Sequence, residues 1–586
     1  MRQWMVAAKK ADFYVIAEKF HVDPVVARII RNREVIGEKN IRIYLGGNLS
    51  DLSDPHQMKD MDRLVEILAQ KIRKQVHIRI IGDYDVDGVT SSHLFLTALR
   101  RVGAKVDVVI PHRIQDGYGL SLHLLQQAKE DGVDTILTCD NGIAAIDEIA
   151  WAKAQKMTVL VTDHHAVPFE EHEGRRTEKK SLADAVVNPH QQDCGYPYKE
   201  LCGAGVAWNV IRVLYENYDM DKREAEDLLD FVAMATVCDV MSLTGENRIL
   251  VKEGLKRIRH TKNIGLQALM QACNVQPENI SAYHFGYVLG PCVNATGRLD
   301  TARHALRLFE TGQETEAEEI ARDLVDLNQE RKELTLQGVE MAKKLCEEGG
   351  YENDPVLVLF LPDVHESIAG LIAGRIREMY NRPVFVLTRG EEGVKGSGRS
   401  TENYSMYENM CGCAELFTKF GGHPMAAGLS LPEENVEKFR RKINENCPLT
   451  VEEVCPDIHI DMAMPVGYAS TELVHQFALL EPFGKDNPSP LFADRNLSIS
   501  RMWLIGKNRN VLRMSVLSEY GQPVPVIFFG DVETLFAYFT EKFGQEEVEN
   551  ALHGRKNRIL FSMVYTAKID FYQGNENLQL EMKYYC

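Results

Sequence analysis

The chain has 586 residues, too many for one hydrophobic core, and typical domain sizes divide it into about three or four. Apolar residues make up 45% and charged residues 26%, and no apolar run approaches the roughly 20 residues that cross a bilayer, which argues against a membrane protein. The net charge of −18 speaks against a protein that simply coats nucleic acid, so any polyanion site must depend on the local field of a groove.

The opening MRQWMVAAKKADFYVIAEKF scatters charges among its apolar residues and lacks the apolar core of a signal peptide, which predicts a cytoplasmic protein. The twelve cysteines form no CxxC pair; they read as reduced thiols, with no zinc site. Residues 1–45 form an N-terminal segment. From about residue 76, VHIRII, KVDVVI, TILTC, TVLVT and DAVVN alternate with helical stretches such as Val89 to Arg101 and Gly142 to Ala154, the pattern of a parallel α/β sheet. Ligands of such sheets bind beyond the carboxyl ends of the strands. Three runs end there in candidate metal ligands: Asp83, Asp140, and Asp163-His164-His165.

After about residue 225 the pattern turns helical. Glu314 to Glu348 has helically spaced apolar residues and stops at Gly349-Gly350, which predicts a long connecting helix. A second α/β unit runs from PVLVLFL through SIAGLIAGRIREMY and PVFVL to about Leu431. From about residue 450, five strand-like runs with one intervening helix suggest a small barrel of OB type. The expected domains are 46–265, a parallel α/β domain; 266–350, a helical connector; 351–447, a smaller α/β domain; and 448–586, an OB-type barrel.

Gly82-Asp83-Tyr84-Asp85-Val86-Asp87-Gly88 sets three carboxylates on alternate residues after a strand. A calcium loop counted from Asp83 would need a bidentate acid at its twelfth position, which is Leu94. Asp140, Asp163-His164-His165 and Asp239 complete a mixed oxygen and nitrogen set suited to manganese. So many carboxylates together would raise one another's pKa values. Two divalent cations, manganese or magnesium, would resolve that and imply hydrolysis of a phosphorus–oxygen bond. Glycine-rich Gly393 to Ser400 and Gly421 to Gly428 read as turns whose backbone N–H groups, with Lys395, Ser397 and Arg399, could hold a phosphate.

The ordered motifs Asp83-Tyr84-Asp85-Val86-Asp87-Gly88, Asp140-Asn141-Gly142, Asp163-His164-His165 and Asp239 resemble those of the DHH phosphoesterase family, in the spacing of its single-strand exonuclease branch. The two glycine-rich segments resemble the DHHA1 domain that accompanies it. The resemblance implies that Asp85, Asp87, Asp140, His164 and Asp239 ligate metal, with Asp83 at or beside the ions and His165 near the scissile phosphate. It extends through Asn294 to Arg298 and assigns substrate contacts to Arg113, Arg298, Asn328, His365, Arg375, Lys395, Ser397, Gly398, Arg399, Gly422 and His423. The chain departs from that branch at Val364, commonly Trp, and at Ser367, commonly Gly.

The implied activity is a metal-dependent 5′ to 3′ exonuclease that hydrolyses single-stranded DNA to mononucleotides in repair and recombination. The implied partners are single-stranded DNA, single-strand-binding protein and a RecQ-type helicase, for an enzyme that is a monomer. The alternatives are a DHH phosphodiesterase for cyclic dinucleotides or short oligoribonucleotides, and a nonenzymatic DNA-binding replication factor of Cdc45 type. In the barrel, Trp503, Phe528 and Phe529 are candidates for base stacking, and Lys507 and Arg509 for phosphate contacts.

Overall fold

The computed structural model describes residues 3–586 apart from 114–115, 117–118, 173–174, 300, 352, 391–392, 456, 507–508 and 573. The chain divides into two compact units, Asn48–Pro456 and the pair of segments Gln3–Gly47 and Asp457–Cys586. Among the described residues no helix is long and apolar enough to cross a membrane.

After the helix Met61–Arg73, the first unit builds a sheet of five strands, β1 (Ile78–Ile81), β2 (Val106–Val109), β3 (Thr135–Cys139), β4 (Thr158–Thr162) and β5 (Ala185–Val187). All pair in parallel, in the order β2-β1-β3-β4-β5. β1 and β3 are buried throughout, as near-continuous apolar runs must be when helices cover both faces. From β1 the chain crosses to β2 on one side, then returns to β3 on the other. The crevice beyond the carboxyl ends of β1 and β3 is therefore the topological switch point where such sheets bind ligands.

The helices that pack into the same core include α1 (Val86–Arg101), α2 (Gly203–Asn217) and α3 (Leu229–Cys238). Farther along, α4 (Gly290–Leu299) continues from Ala282–His284 through a π turn at Phe285–Leu289. The long helix α5 (Glu314–Glu348) has 35 residues, as its apolar spacing predicts, and spans roughly 50 Å at the helical rise.

Past it lies a mixed sheet of β6 (Leu357–Phe360), β7 (Val384–Gly390), β8 (Gly393–Arg399), β9 (Lys419–Gly422) and β10 (Ala426–Leu431), in the order β9-β10-β8-β7-β6. Helix α6 (Ala369–Tyr380) packs on β7 and β8. Both glycine-rich segments, expected as turns, are largely strands. The reason is packing: a Cβ at Gly396 would lie 2.4 Å from Leu387 Cδ2, and one at Gly398 2.5 Å from Met406 Sδ and 2.7 Å from the Phe385 ring. Alternation then turns Lys395, Ser397 and Arg399 to the opposite face.

In the second unit, β11 (Phe492–Ile505), β12 (Val511–Leu517), β13 (Pro523–Phe528), β14 (Leu560–Tyr572) and β15 (Asn575–Tyr585) pair in the order β11-β12-β13-β15-β14, and β14 returns to β11 to close a barrel. Two helices, α7 (Val532–Phe543) and α8 (Gln545–Leu552), stand where one was expected, because Gly544 with φ 95° breaks the run. Val25, Val26, Ile29 and Ile30 of the N-terminal helices share the barrel's hydrophobic cluster. Trp4–Val6 pairs with Ile458–Ile460, and Arg33 makes a buried ion pair with Asp461 at 2.7 Å.

Candidate active site

Strand ends deliver the acids. Asp83 follows β1, Asp140 follows β3, and Asp163-His164-His165 follows β4. Asp85 caps α1, its carboxylate accepting from Gly88 N at 3.0 Å. A glycine is required at 88, since a Cβ there would meet the Asp83 backbone at 2.4 Å. Asp140 sits in the left-handed region at φ 61°, tolerable for Asp and a mark of local strain. Asn141 Nδ2 donates to Ile81 O and Cys139 O, tying the ends of β1 and β3 together.

Three overlapping groups of donor atoms result, each within 4.8 Å: Asp83, Asp85 and Asp140; Asp87, His164 and Asp239; and Asp140, His164 and His165. His164 Nε2 is 3.0 Å from Asp140 Oδ1 and 3.6 Å from Asp87 Oδ2 and from Asp239 Oδ2. Burial, and then the charges of their neighbours, hold the Asp83 and Asp140 carboxyls well above the usual range and raise Asp85 as well. Burial lowers His164. Asp83 Oδ1 and His164 Nε2 are buried without a hydrogen bond. A crowd of buried oxygens with an imidazole, partly unsatisfied, fits divalent cations of the manganese or magnesium kind.

Asp163 plays a different part. Its Oδ1 accepts from the backbone N–H groups of His164 and His165 and from His165 Nδ1 at 2.8 Å, and its Oδ2 accepts from Ile143 N. Burial alone would lower His165, but the Asp163 hydrogen bond and the charges of Asp163, Asp239 and Asp87 prevail and push it up to about 9. Two donors escaped the sequence reading. Gly203 N and Ala204 N, at the start of α2, donate to the two oxygens of Asp87 at 2.6 and 2.7 Å, a helix N-terminus aimed at a carboxylate. The glycine-rich Gly203-Ala204-Gly205 was the available signal, obscured because the cap is Cys202.

Beside this cluster lie two cavities. One, of about 300 Å³, is lined by Asp83, Tyr84, Asp85, Arg113, Asn294 and Arg298, with Cys238. The other, of about 480 Å³, includes Arg113, Arg298, Lys395, Ser397, Arg399 and Lys419 in its wall. Arg113 and Arg298 belong to both. Arg113 stacks over the Tyr84 ring at 4.8 Å, and Arg298 Nη1 donates to Ser367 O at 2.6 Å. Burial, then the positive charge of Arg113, Arg331 and Arg399, lowers Arg298 to about 10; burial, Arg113 and Arg377 lower Arg399. Such mutually repelling cations suit an anion.

Gly398, Gly422, His423, His365, Asn328 and Arg375 line neither cavity, and Lys395 is already engaged within the second. Gly398 faces Met406 and Phe385 as a packing residue, and its N–H belongs to a sheet ladder rather than to a phosphate-binding turn. Gly422 ends β9 at φ 149°, and His423 N donates to Ala426 O across the hairpin. His365 caps a short 3₁₀ turn and pairs with Ser367 Oγ at 2.7 Å. Asn328 is buried between helices, donating to Cys292 Sγ and accepting from Arg331 Nε, and Arg375 lines a third, basic cleft with Arg331 and Lys332, which shares Arg399 with the cationic pocket. Lys395 is held by Glu366 at 2.8 Å. In the barrel, Phe528 is core, only 5% exposed, which removes it as a stacking candidate. Phe529 is exposed, and Trp503 stands between Arg501 and Arg513, their guanidinium carbons 5.6 and 5.9 Å from its ring. Arg509 is exposed, and Lys507 lies outside the described residues.

Residues 77–236 match the DHH family, N-terminal domain, residues 353–447 the DHHA1 domain, and residues 460–584 the RecJ OB domain. The single-stranded-DNA-specific exonuclease RecJ of Haemophilus influenzae is 32% identical over 582 residues, covering 96% of each chain. This chain belongs to the RecJ family. The Bacillus subtilis RecJ is 33% identical over 511 residues, and the match spans 86% of this chain but 63% of that longer one. The crystal structure of RecJ in complex with Mn2+ from Thermus thermophilus superposes with a TM-score of 0.81 at 24% identity, covering all of this chain and 79% of that one. A second RecJ structure, bound to manganese, is 32% identical with a TM-score of 0.57, over 66% of this chain and 94% of that one. The RecJ fold accounts for the parallel sheet, the mixed sheet and the closed barrel together.

Proposed function

We propose that the chain is a metal-dependent exonuclease that degrades single-stranded DNA from its 5′ end to mononucleotides, in DNA repair and recombination. The observation that carries this reading is the shared wall: Arg113 and Arg298 border both the cavity lined by Asp83 and Asp85, at the edge of the acid cluster, and the cationic pocket. Asp83, Asp85 and Asp140 would hold one divalent cation, and Asp87, His164 and Asp239 a second, manganese or magnesium. Bound there, such cations supply charge neutralisation at phosphoryl oxygens and activation of water.

The protein's own groups bind and orient. A terminal phosphate monoester carries about −1.5 to −2 charges near neutral pH, more than an internal diester, so the crowded guanidiniums of Arg113, Arg298 and Arg399 favour a strand end. Ser397 adds a hydroxyl. With the end seated there, the next diester reaches the acid cluster, which makes a mononucleotide the product. Asp163 grips His165 through Nδ1 and so places it to donate a charge-assisted hydrogen bond to that diester. The 5′ polarity, the monomeric state and work beside single-strand-binding protein and a RecQ-type helicase rest on the family resemblance, and the cytoplasmic location on the charges scattered through the N-terminal residues.

The test compares radiolabelled products from a long 5′-phosphorylated single strand, a dinucleotide and a cyclic dinucleotide, each with and without manganese. Mononucleotides from the long strand, only with the cation, are expected. A cyclic dinucleotide has no terminal phosphate; its cleavage at equal efficiency, or no cation-dependent product at all, overturns the reading.

A further inference from the structure

The helix that carries Asn294 and Arg298 into the cavities continues well beyond them. Ala282–His284, Phe285–Leu289 and Gly290–Leu299 run without a break, with a π turn in the middle. A stripe follows it at steps of four, four, three and four residues, with Tyr283 and Tyr287 exposed and Pro291, Asn294 and Arg298 half-buried, while Phe285, Leu289, Cys292, Val293 and Thr296 are buried. Tyr283 and Tyr287 are 62% and 71% exposed. Their rings stack on each other, centroids 5.1 Å apart and planes 20° from parallel. Two large aromatic rings held face to face in water mark a contact surface more readily than a folding requirement.

The stripe is ordered. Arg298 borders the cationic pocket, Asn294 borders the acid-lined cavity, and Tyr287 follows on the order of 10 Å farther along the axis at the helical rise. Its position is set against the metal cluster, because Cys238, the residue before Asp239, donates its S–H to Phe285 O at 3.3 Å, and a Cβ at Gly290 would lie 2.3 Å from Cys238 Sγ. We infer that Tyr283 and Tyr287 form a base-stacking platform for the single strand on the 3′ side of the scissile phosphate. This rests on the reading above, in which the 5′ end lies at Arg399. A ring face accepts any base, as an exonuclease indifferent to sequence requires.

The experiment uses the full chain with manganese. In Tyr283→Ala/Tyr287→Ala, KM for a 5′-phosphorylated 20-nucleotide strand should rise about tenfold or more, the scale of losing one or two base stacks. The ratio of kcat/KM between that strand and a trinucleotide should fall by a like factor, and Tyr283→Phe/Tyr287→Phe should restore it. In parallel, 5-iodouracil placed at successive positions from the 5′ end, cross-linked to the wild type in calcium, should label Tyr287 nearer that end than Tyr283. An unchanged ratio, equal losses on both lengths, or cross-links to neither tyrosine overturns the platform; so does a defect confined to binding another protein. The cross-link needs no turnover and the phenylalanine pair preserves the rings, so a wild type that fails to degrade the strand sinks the functional reading while the platform is still judged separately.

Discussion

The two cavities that share Arg113 and Arg298 face opposite electrostatic problems. On one side, acids from three separate strand ends and from the end of α3 converge, and burial turns their mutual repulsion into raised carboxyl pKa values. On the other, cations come from alternate positions of β8 and from single residues reached across the fold, and burial, then mutual repulsion, lowers Arg298 and Arg399. The first problem is solved by cations and the second by an anion. Neither half is at rest without a partner of opposite charge, which is a physical reason for a phosphate ester and its metals to meet at their common wall.

The largest effect should come from the acidic side. Asp140→Ala or His164→Ala should cost about a hundredfold or more in cation-supported hydrolysis, since metal contributions run to several kcal/mol, while circular dichroism stays native. A variant that keeps more than about a tenth of the rate would remove that residue from the metal set. Next comes linkage between pH and cation. The raised carboxyls of Asp83 and Asp140 bind protons more tightly in the folded, cation-free protein than in the unfolded chain, so their stabilising contribution is complete below the ordinary value of 3.8 and is lost as the pH rises through the raised folded values. Manganese replaces those protons, and at a hundredfold excess over Kd its gain reaches about 2.7 kcal/mol. The gain in Tm should therefore be larger at about pH 8 than at about pH 5, and a gain that does not change with pH would contradict the cluster.

The cationic side should respond more gently. Arg399→Ala should reduce the preference for a 5′-phosphate over a 5′-hydroxyl by about tenfold, the scale of one hydrogen bond to a charged group; an unaltered preference moves the clamp elsewhere. Lys395→Ala should change that preference by less than about fivefold, because its ammonium is already engaged by Glu366 and pairs of this exposure contribute about 1 kcal/mol or less. A larger loss would mean that Lys395 leaves Glu366 for the substrate.

The same contrast decided what could be read from residues alone. Acids that terminate strands are legible, because strand periodicity places their ends together and the carboxylate is the signal. The cations of β8 were legible by type but not by conformation: Gly393 to Arg399 is poor in β-formers and reads as a loop, yet its glycines are there for Leu387, Phe385, Leu429 and Met406, neighbours that local pattern does not reveal. Asn328 could not be told from a cleft residue because its helix, though correctly bounded, presents it to Cys292 and Arg331. The union of the N-terminal helices with the barrel core was invisible for the same reason, since Val26 and Val466 share one cluster across most of the chain length.

The placement of the proposed ligands at a topological switch point also bears on how the enzyme is made. Asp87, His164 and Asp239 meet only after α1, β4 and α3 have come together, and Asp83 and Asp140 only after β1 and β3 pair, so no short stretch of the nascent chain can capture a metal as a zinc finger does. Metallation must follow folding. Manganese in a refolding buffer should accordingly leave the folding rate unchanged and act on the unfolding limb alone, giving a protein that assembles as slowly as its long-range strand pairings dictate and, once loaded, comes apart more slowly still.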